Sequence, residues 1–352
     1  MPNWFKSMQQ TYEYFTVDVG TWRDKDQLKN VKTSTVSRDR EVETLGSATF
    51  DITEDIGETY IRTYLVTNQN GVTERFPLGT HLVQTPKSAF NGKSRTVTMD
   101  AYTPLIELKE NQPPLGYYTP EGANILDAAY EIIADNARAP VVKTSSDKKL
   151  PRHFVADPND TWLTYVIALL ANANYVLDLD PMGYILFAPK QETAAMQPVW
   201  TYTDNNSSIL YPDINMEHDL YNIPNVVEVI YADASNSFTV IVRNDDENSP
   251  TSTISRGREI KHRVQNPSFS GAPSEAQVKE YAEQLLKEMS SLEYKISYTH
   301  GYCPTRTDDC VMMDYAASGI TDTKARVISQ TIKCVPGCPV TETSAFTNKL
   351  WG

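Results

Sequence analysis

Four cysteines carry the residue types and spacing best suited to chemistry: Cys303, Cys310, Cys334 and Cys338, all within the last 50 residues. Thiolates are soft ligands, and four of them from two loops make a tetrahedral zinc site or an iron–sulfur site. His300 can replace one cysteine in such a set. The spacings C-x6-C and C-x3-C differ from the usual C-x2-C knuckles. Two other readings stand beside a metal: local disulfides Cys303–Cys310 and Cys334–Cys338, or four free thiols. Reducing conditions during assembly disfavour the disulfides. A metal here would be structural, pinning one end of a β layer.

Other constellations are weaker. The chain has no G-x-S-x-G, H-E-x-x-H, P-loop or G-x-G-x-x-G. Its five histidines, His81, His153, His218, His262 and His300, are scattered. Glu217-His218-Asp219 places acid and base side by side, but sequence neighbours point to different faces, which is not acid–base geometry. Asp178-Leu179-Asp180-Pro181-Met182-Gly183 lacks the third ligand and the distal glutamate of a calcium loop, so it reads as a tight turn. Arg256, Arg258, Lys261 and Arg263, diluted by Glu259, read as a charged edge strand or a subunit salt-bridge surface. The loop Asp245-Asp246-Glu247 would supply the counter-charge. No placed carboxylate pair or metal triad points to an enzyme.

The elements that must position the cysteines are strands. Patterning predicts them over Glu293–Tyr302, Val311–Tyr315, Ala325–Lys333 and about Pro339–Thr347, which as an antiparallel run bring both cysteine pairs to one end. Val227, Val229 and Tyr231 alternate before them, as do Phe238, Val240 and Val242. One helix interrupts, opened by the capping box Ser274/Gln277 and faced with Val278, Tyr281, Ala282, Leu285, Leu286 and Met289. The first 110 residues are also β, with period-two runs at Phe15/Val17/Val19, Ala48/Phe50/Ile52, Ile61/Thr63/Leu65 and Val97/Met99/Ala101. Asn70-Gly71, Pro77-Leu78-Gly79 and Asn91-Gly92 punctuate them, and Asn91-Gly92 is the strongest hairpin signal.

Between the β regions, Gln112-Pro113-Pro114-Leu115-Gly116 makes a stiff break. Ile125, Ala128, Ala129, Ile132 and Ile133 then predict a helix over about Ala123–Ala137. A basic stretch follows, and a second helix opens near Pro158, capped by Asn159 or Asp160. A hairpin comes next: Tyr175–Leu179, the turn at Asp180–Gly183, and Tyr184–Ala188. The expected fold is α+β and mainly β. Two antiparallel β-barrel domains, 1–110 and 201–352, are separated by a helix-containing α/β insert, 111–200.

Composition limits the function. The 352 residues hold 32 Lys+Arg against 45 Asp+Glu, a net charge of −13, which argues against a protein that clasps nucleic acid. Twenty tyrosines against 15 glycines favour half-buried strands. No signal or spanning segment is visible in the sequence, and the longest apolar run lies around Tyr165–Leu170. A soluble protein completed in the cytoplasm, without membrane insertion, is expected.

Two stretches resemble the hub proteins of bacteriophage tails, a family that includes late-control-type proteins and the hub half of secretion-system spike proteins. One runs from Ser37-Arg38-Asp39-Arg40 through Ser47-Ala48-Thr49-Phe50, continued by Phe76-Pro77-Leu78-Gly79 and Met99-Asp100-Ala101-Tyr102. The other is Asp157-Pro158-Asn159-Asp160-Thr161-Trp162 with its helix, then Tyr175–Leu179 and Tyr184-Ile185-Leu186-Phe187. The resemblance implies a virion protein of the tail or baseplate. It implies a homotrimer whose six similar barrels adapt a six-fold tail tube to a three-fold spike or tip. Tail-tube protein above, spike protein below and other baseplate proteins around it would be the partners. DNA would pass through without specific binding, past a bore whose excess carboxylates repel it. The cysteines are not part of the family pattern. A receptor- or carbohydrate-binding virion protein is the alternative, since it would share the β content and the tyrosines.

Overall fold

The computed structural model describes residues 2–349 except 91, 94, 206–207, 219–222, 233–236, 266 and 268–272. The chain is mainly β, with helices concentrated between two β regions as the patterning predicts. Seven strands build the first region: β1 Gln9–Asp18, β2 Arg23–Gln27, β3 Val31–Asp39, β4 Gly46–Ile52, β5 Tyr60–Gln69, β6 Val72–Phe90 and β7 Arg95–Tyr102. Alternation is clean in β4, where Ala48, Phe50 and Ile52 are buried, and in β7, where Val97, Met99 and Ala101 are buried.

The period-two run at Ile61/Thr63/Leu65 predicts a strand with one wet face, and β5 departs from it. It is buried from Tyr60 to Leu65 without a break. Ile61 and Leu65 enter one core with Phe50, Ile52 and Met99, whereas Tyr60 joins the core of the helical segment. The strand lies between two packed layers, so both of its faces are dry.

Asn70-Gly71 makes the two-residue loop between β5 and β6, with φ of 53° and 81° at its two positions and Gln69 paired to Val72. Both central residues in the left-handed region define the primed turn that matches strand twist. Asn91 lies outside the described residues; the flanking β6 and β7 do pair antiparallel, Phe90 opposite Arg95. Pro77-Leu78-Gly79 is not a turn. It lies inside β6 where the register to β5 slips, so Pro77, which cannot donate to the ladder, sits at a bulge.

Strands of the two β regions join in one thirteen-stranded sheet. Ile320–Lys333 pairs antiparallel with β3, Lys333 opposite Thr35 and Ser329 opposite Asp39. Pro339–Lys349, Ser291–Gly301 and Leu210–His218 continue outward in that order. The short strand Cys310–Tyr315 flanks Ile320–Lys333 and takes Trp200–Thr203 as a parallel partner.

The compact units accordingly differ from the three predicted segments. One comprises Met1–Ile214 with Ser297–Ser344, the other Asn215–Ile296 with Ala345–Gly352. The 111–200 segment shares a core with the first β region: Ile125, Leu126, Ile133, Trp162, Tyr165 and Leu169 pack with Val17, Trp22, Tyr60 and Leu82. An amphipathic helix buries its apolar face where one is offered, and here the sheet offers it. The helix Ile125–Asn136 is capped by Asn124, whose side chain accepts from the Leu126 and Asp127 amides. Trp162–Ala171 is capped by Thr161 in a capping box with Thr164. The predicted caps Asn159 and Asp160 lie two residues and one residue early, although Asp160 does accept from the Thr164 hydroxyl at 3.0 Å.

The second unit stacks the helix Glu275–Met289 on a small sheet of Val226–Ala232, Ser237–Arg243 and Lys261–Gln265. Its capping box Ser274/Gln277 forms as predicted. The basic cluster divides: Arg256 ends a one-turn helix capped by Gly257, and Lys261 and Arg263 share the exposed face of the edge strand. Arg263 there pairs with Glu228 at 2.6 Å.

Candidate functional site

Two polar constructions inside the first unit hold the tertiary structure. The first clasps the hairpin Tyr175–Leu179/Ile185–Pro189 onto the first β region. Arg62, in the middle of the dry β5, is 99% removed from solvent, with its side chain at 1% exposure. Its guanidinium donates to Asp24 at 2.7 Å, the Trp22 carbonyl at 3.2 Å, the Met182 carbonyl at 2.9 Å and the Thr80 hydroxyl at 3.0 Å. Every one of these spreads a buried charge over acceptors, which burial of an arginine requires. The Trp22 indole N–H also donates to the Met182 carbonyl at 2.9 Å, and the Thr80 hydroxyl to that of Pro181 at 3.2 Å. The turn carbonyls of 181 and 182 are thus held by three side chains. Gly183, with φ of 83°, completes the turn; a Cβ on it would lie 2.9 Å from Thr80 Cβ and 3.1 Å from Trp22 Cζ2.

Two further arginines grip the same hairpin. Arg40 donates to the Leu177 carbonyl at 2.8 Å and pairs with Asp178 and Asp308. Arg306 donates to the Leu179 carbonyl at 2.5 Å. Asp308 also pairs with Arg326 at 2.8 Å. Residues from both β regions therefore converge on one turn of the insert.

The second construction surrounds Glu342, which is fully buried. Its carboxylate accepts from Gln330 at 2.6 Å, Thr305 at 3.2 Å, His300 Nε2 at 3.3 Å and the Tyr298 hydroxyl. Burial alone would raise the Glu342 pKa, but the hydrogen bonds and the charge of His300 bring it below its ordinary value. For His300, burial pulls downward, yet bonds to Cys303 and Glu342 raise the pKa to about 10. The imidazole is therefore cationic and the pair ionic. Its other nitrogen, Nδ1, lies 2.7 Å from the Gly301 carbonyl. The His300 and Glu342 side chains are both at 0% exposure, so the pair has no route to a substrate. It organises the core.

The four cysteines are buried and free, and they are not gathered. Cys334 and Cys338 lie together in the apolar core with Phe50, Val36 and Tyr302. Burial pushes their thiols up, to about 12 and about 11, which keeps them protonated and unreactive. Cys303 lies in the neighbouring polar centre, 3.4 Å from the Tyr202 hydroxyl. Cys310 pairs with Arg326, eight positions before Cys334, which follows directly on the end of that strand. At about 3.3 Å per residue that is roughly 26 Å, beyond the reach of a shared ion. The strand Cys310–Tyr315 is short and enters midway along its long partner, so the four-thiolate set expected from chain order does not assemble. Among the described residues, no three His, Cys, Asp or Glu side chains are arranged to hold a metal.

Neither Arg62 nor Glu342 stands out by spacing. Their common signal is a charged residue inside an apolar or small-residue strand: Tyr60-Ile61-Arg62-Thr63-Tyr64-Leu65 and Val340-Thr341-Glu342-Thr343-Ser344.

No protein-family model and no curated protein matches the chain. Solved structures do. The tail protein from Neisseria meningitidis MC58 superposes with a TM-score of 0.67 at 14% identity, covering 97% of this chain and 98% of that one. The 43 kDa tail protein of prophage MuSo2 from Shewanella oneidensis gives 0.64 at 9% identity, covering 96% and 98%. A chain of the Francisella PdpA–VgrG complex gives 0.58 at 12% identity, covering 97% of this chain but 58% of that one. At such identities the likeness is one of fold, and it extends through both β regions and the segment between them. The chain has the fold of prophage tail proteins.

Proposed function

We propose that the chain is a structural hub of a phage tail or phage-tail-like particle. The observation that carries this reading is the near-complete, end-to-end match to two tail proteins, each covered to 98%. A shared small domain would leave most of either chain unmatched. The interior agrees as well. Its buried ionic groups, Arg62 and Glu342, are spent on fixing elements to one another rather than on a solvent-reachable centre.

In this role three copies form a ring that adapts the six-fold tail tube to a three-fold spike or tip, with other baseplate proteins around it. The chain resides in the virion tail, assembled in the host cytoplasm. Its net charge of −13 suits a bore through which DNA passes without adhering, because like charges repel at close range. Mass measurement and negative-stain imaging of the purified protein test the reading. Three-chain particles with a central hole are expected. A monomer that binds glycans would overturn it in favour of a receptor-binding virion protein.

A further inference from the structure

An open groove runs beside the helix Ile125–Asn136 in the first unit. It is lined by the apolar Pro114, Tyr117, Tyr118 and Trp162 and by the carboxylates Asp127, Glu131 and Asp135. The aromatic part is firmly held, because Tyr117 packs edge-on against Trp162 at 4.8 Å and against Tyr165 at 5.4 Å. It is also wet. Tyr118 is 53% exposed, its strand partner Val155 is 61% exposed, and Leu115, next to Pro114, is 86% exposed. Exposed apolar groups gathered at one groove mark a surface that meets a partner.

The charge of the groove is one-sided. Among the described residues, no lysine or arginine lines it. Lys143 pairs with Asp127 at 3.2 Å, and Glu131 and Asp135 have no ion pair among the described residues. The adjoining cleft shares Asp135 and Asn136 and adds Glu107, Glu110 and one cation, Arg138. That cation is already engaged by Glu107 at 2.5 Å and Glu58 at 3.4 Å, while Glu110 accepts from the neutral Gln84 at 2.8 Å. Lys148 and Lys149 belong to the N-terminal end of the helix, where the Lys148 carbonyl accepts from the Ile125 amide. The helix adds to the excess: its last turn carries Asp135 and no basic residue, although a helix C-terminus favours cations. Burial, and then the charges of Glu131 and Asp135, raise the Tyr117 pKa, so carboxylates and aromatic ring face one space.

We propose that this groove docks a basic, proline-containing extended segment of a partner protein. Asp127, Glu131 and Asp135 are four residues apart on one helix, so their row repeats about every 6 Å. Alternate residues of an extended or polyproline-type chain repeat at about 6–7 Å. Lysine or arginine at every second position therefore keeps step with the row, and the residues between pack on Tyr117, Tyr118 and Trp162. Proline suits those positions, because aromatic-lined grooves take a preformed extended chain at low entropic cost. The inference is independent of the tail reading.

Fluorescence anisotropy of a labelled Lys-Pro repeat of eight residues, titrated with the full chain at low salt, tests it. Saturable binding that weakens with added salt is expected. Glu131→Gln combined with Asp135→Asn removes two exposed pairing partners and should weaken binding about 2–30-fold. Tyr118→Ala removes an exposed ring from beneath the cations and should weaken it about 2–5-fold. The double variant E247Q/E280Q removes the same charge from exposed positions of the second unit and should leave binding unchanged. No saturable binding overturns the proposal. Equal weakening by E247Q/E280Q, or equal binding of a Lys-Gly repeat, overturns it too, because net charge alone then accounts for the binding. Displacement of the peptide by maltoheptaose assigns the groove to a glycan and likewise overturns it.

Discussion

Replacing Gly183 by alanine probes the clasp with a single methyl group. Two costs add. An L-residue in the left-handed conformation is strained by roughly 1–2 kcal/mol, and Gly183 has φ of 83°. The new Cβ would also lie 2.9 Å from Thr80 Cβ and 3.1 Å from Trp22 Cζ2. Neither neighbour can retreat without loosening a bond, since Thr80 holds Arg62 and Pro181 while Trp22 holds Met182. Overpacking of this kind costs about 1–3 kcal/mol, giving about 2–5 kcal/mol in all. Gly116→Ala is the control. Its φ is 78°, but nothing lies within 4 Å of the added Cβ, so only the conformational cost applies. Urea unfolding followed by tryptophan fluorescence reads both variants, with Trp22 itself a reporter. G183A should lose about 1–3 kcal/mol more than G116A at an unchanged m-value. Equal losses in the two variants would refute the argument that close packing at the turn fixes the hairpin.

The buried ion pair makes a second set of expectations. Glu342→Gln leaves the His300 cation without its partner and should cost about 3–5 kcal/mol by the same denaturation measurement. Because the His300 pKa is raised to about 10, its stabilisation is complete below its ordinary value near 6.5 and lost as pH rises through 10. Glu342 has a lowered pKa, so its share is complete above its ordinary value near 4.5 and lost as pH falls through the folded value. The stability difference between wild type and E342Q should therefore be largest between about pH 5 and 6.5; a difference independent of pH from 5 to 10 would contradict an ionic pair. Asn124→Ala removes a cap that accepts from two amides of the helix Ile125–Asn136 and should cost about 1 kcal/mol; no loss in thermal or urea unfolding would mean that packing alone sets that helix end.

Period and capping made much of the fold legible. The alternation in β4 and β7, the helix under Ile125 and Ile133, the capping box at Ser274 and the hairpin around Asp180–Gly183 are local signals, and each sits where its own residues put it. What failed depends on partners far away in sequence. β5 reads as a half-wet strand until the helical segment covers its second face, and Pro77-Leu78-Gly79 reads as a turn until β5 pairs across it. The cysteines illustrate the same point. Chain order brings strand ends together only if the strands have equal length, and Cys310–Tyr315 is too short to reach the end where Cys334 lies. Arg62 and Glu342 were visible only as charges out of pattern. Their partners, Met182 and His300, lie 120 and 42 residues away.

The hub role itself is tested most directly by a cryo-electron-microscopy reconstruction of the purified assembly at side-chain resolution. We expect a closed ring of three chains around an open bore, with the excess of aspartate and glutamate over lysine and arginine facing that bore. A monomer, or a ring whose bore is lined by lysine and arginine with the acids on its outer rim, would contradict the role proposed for this chain.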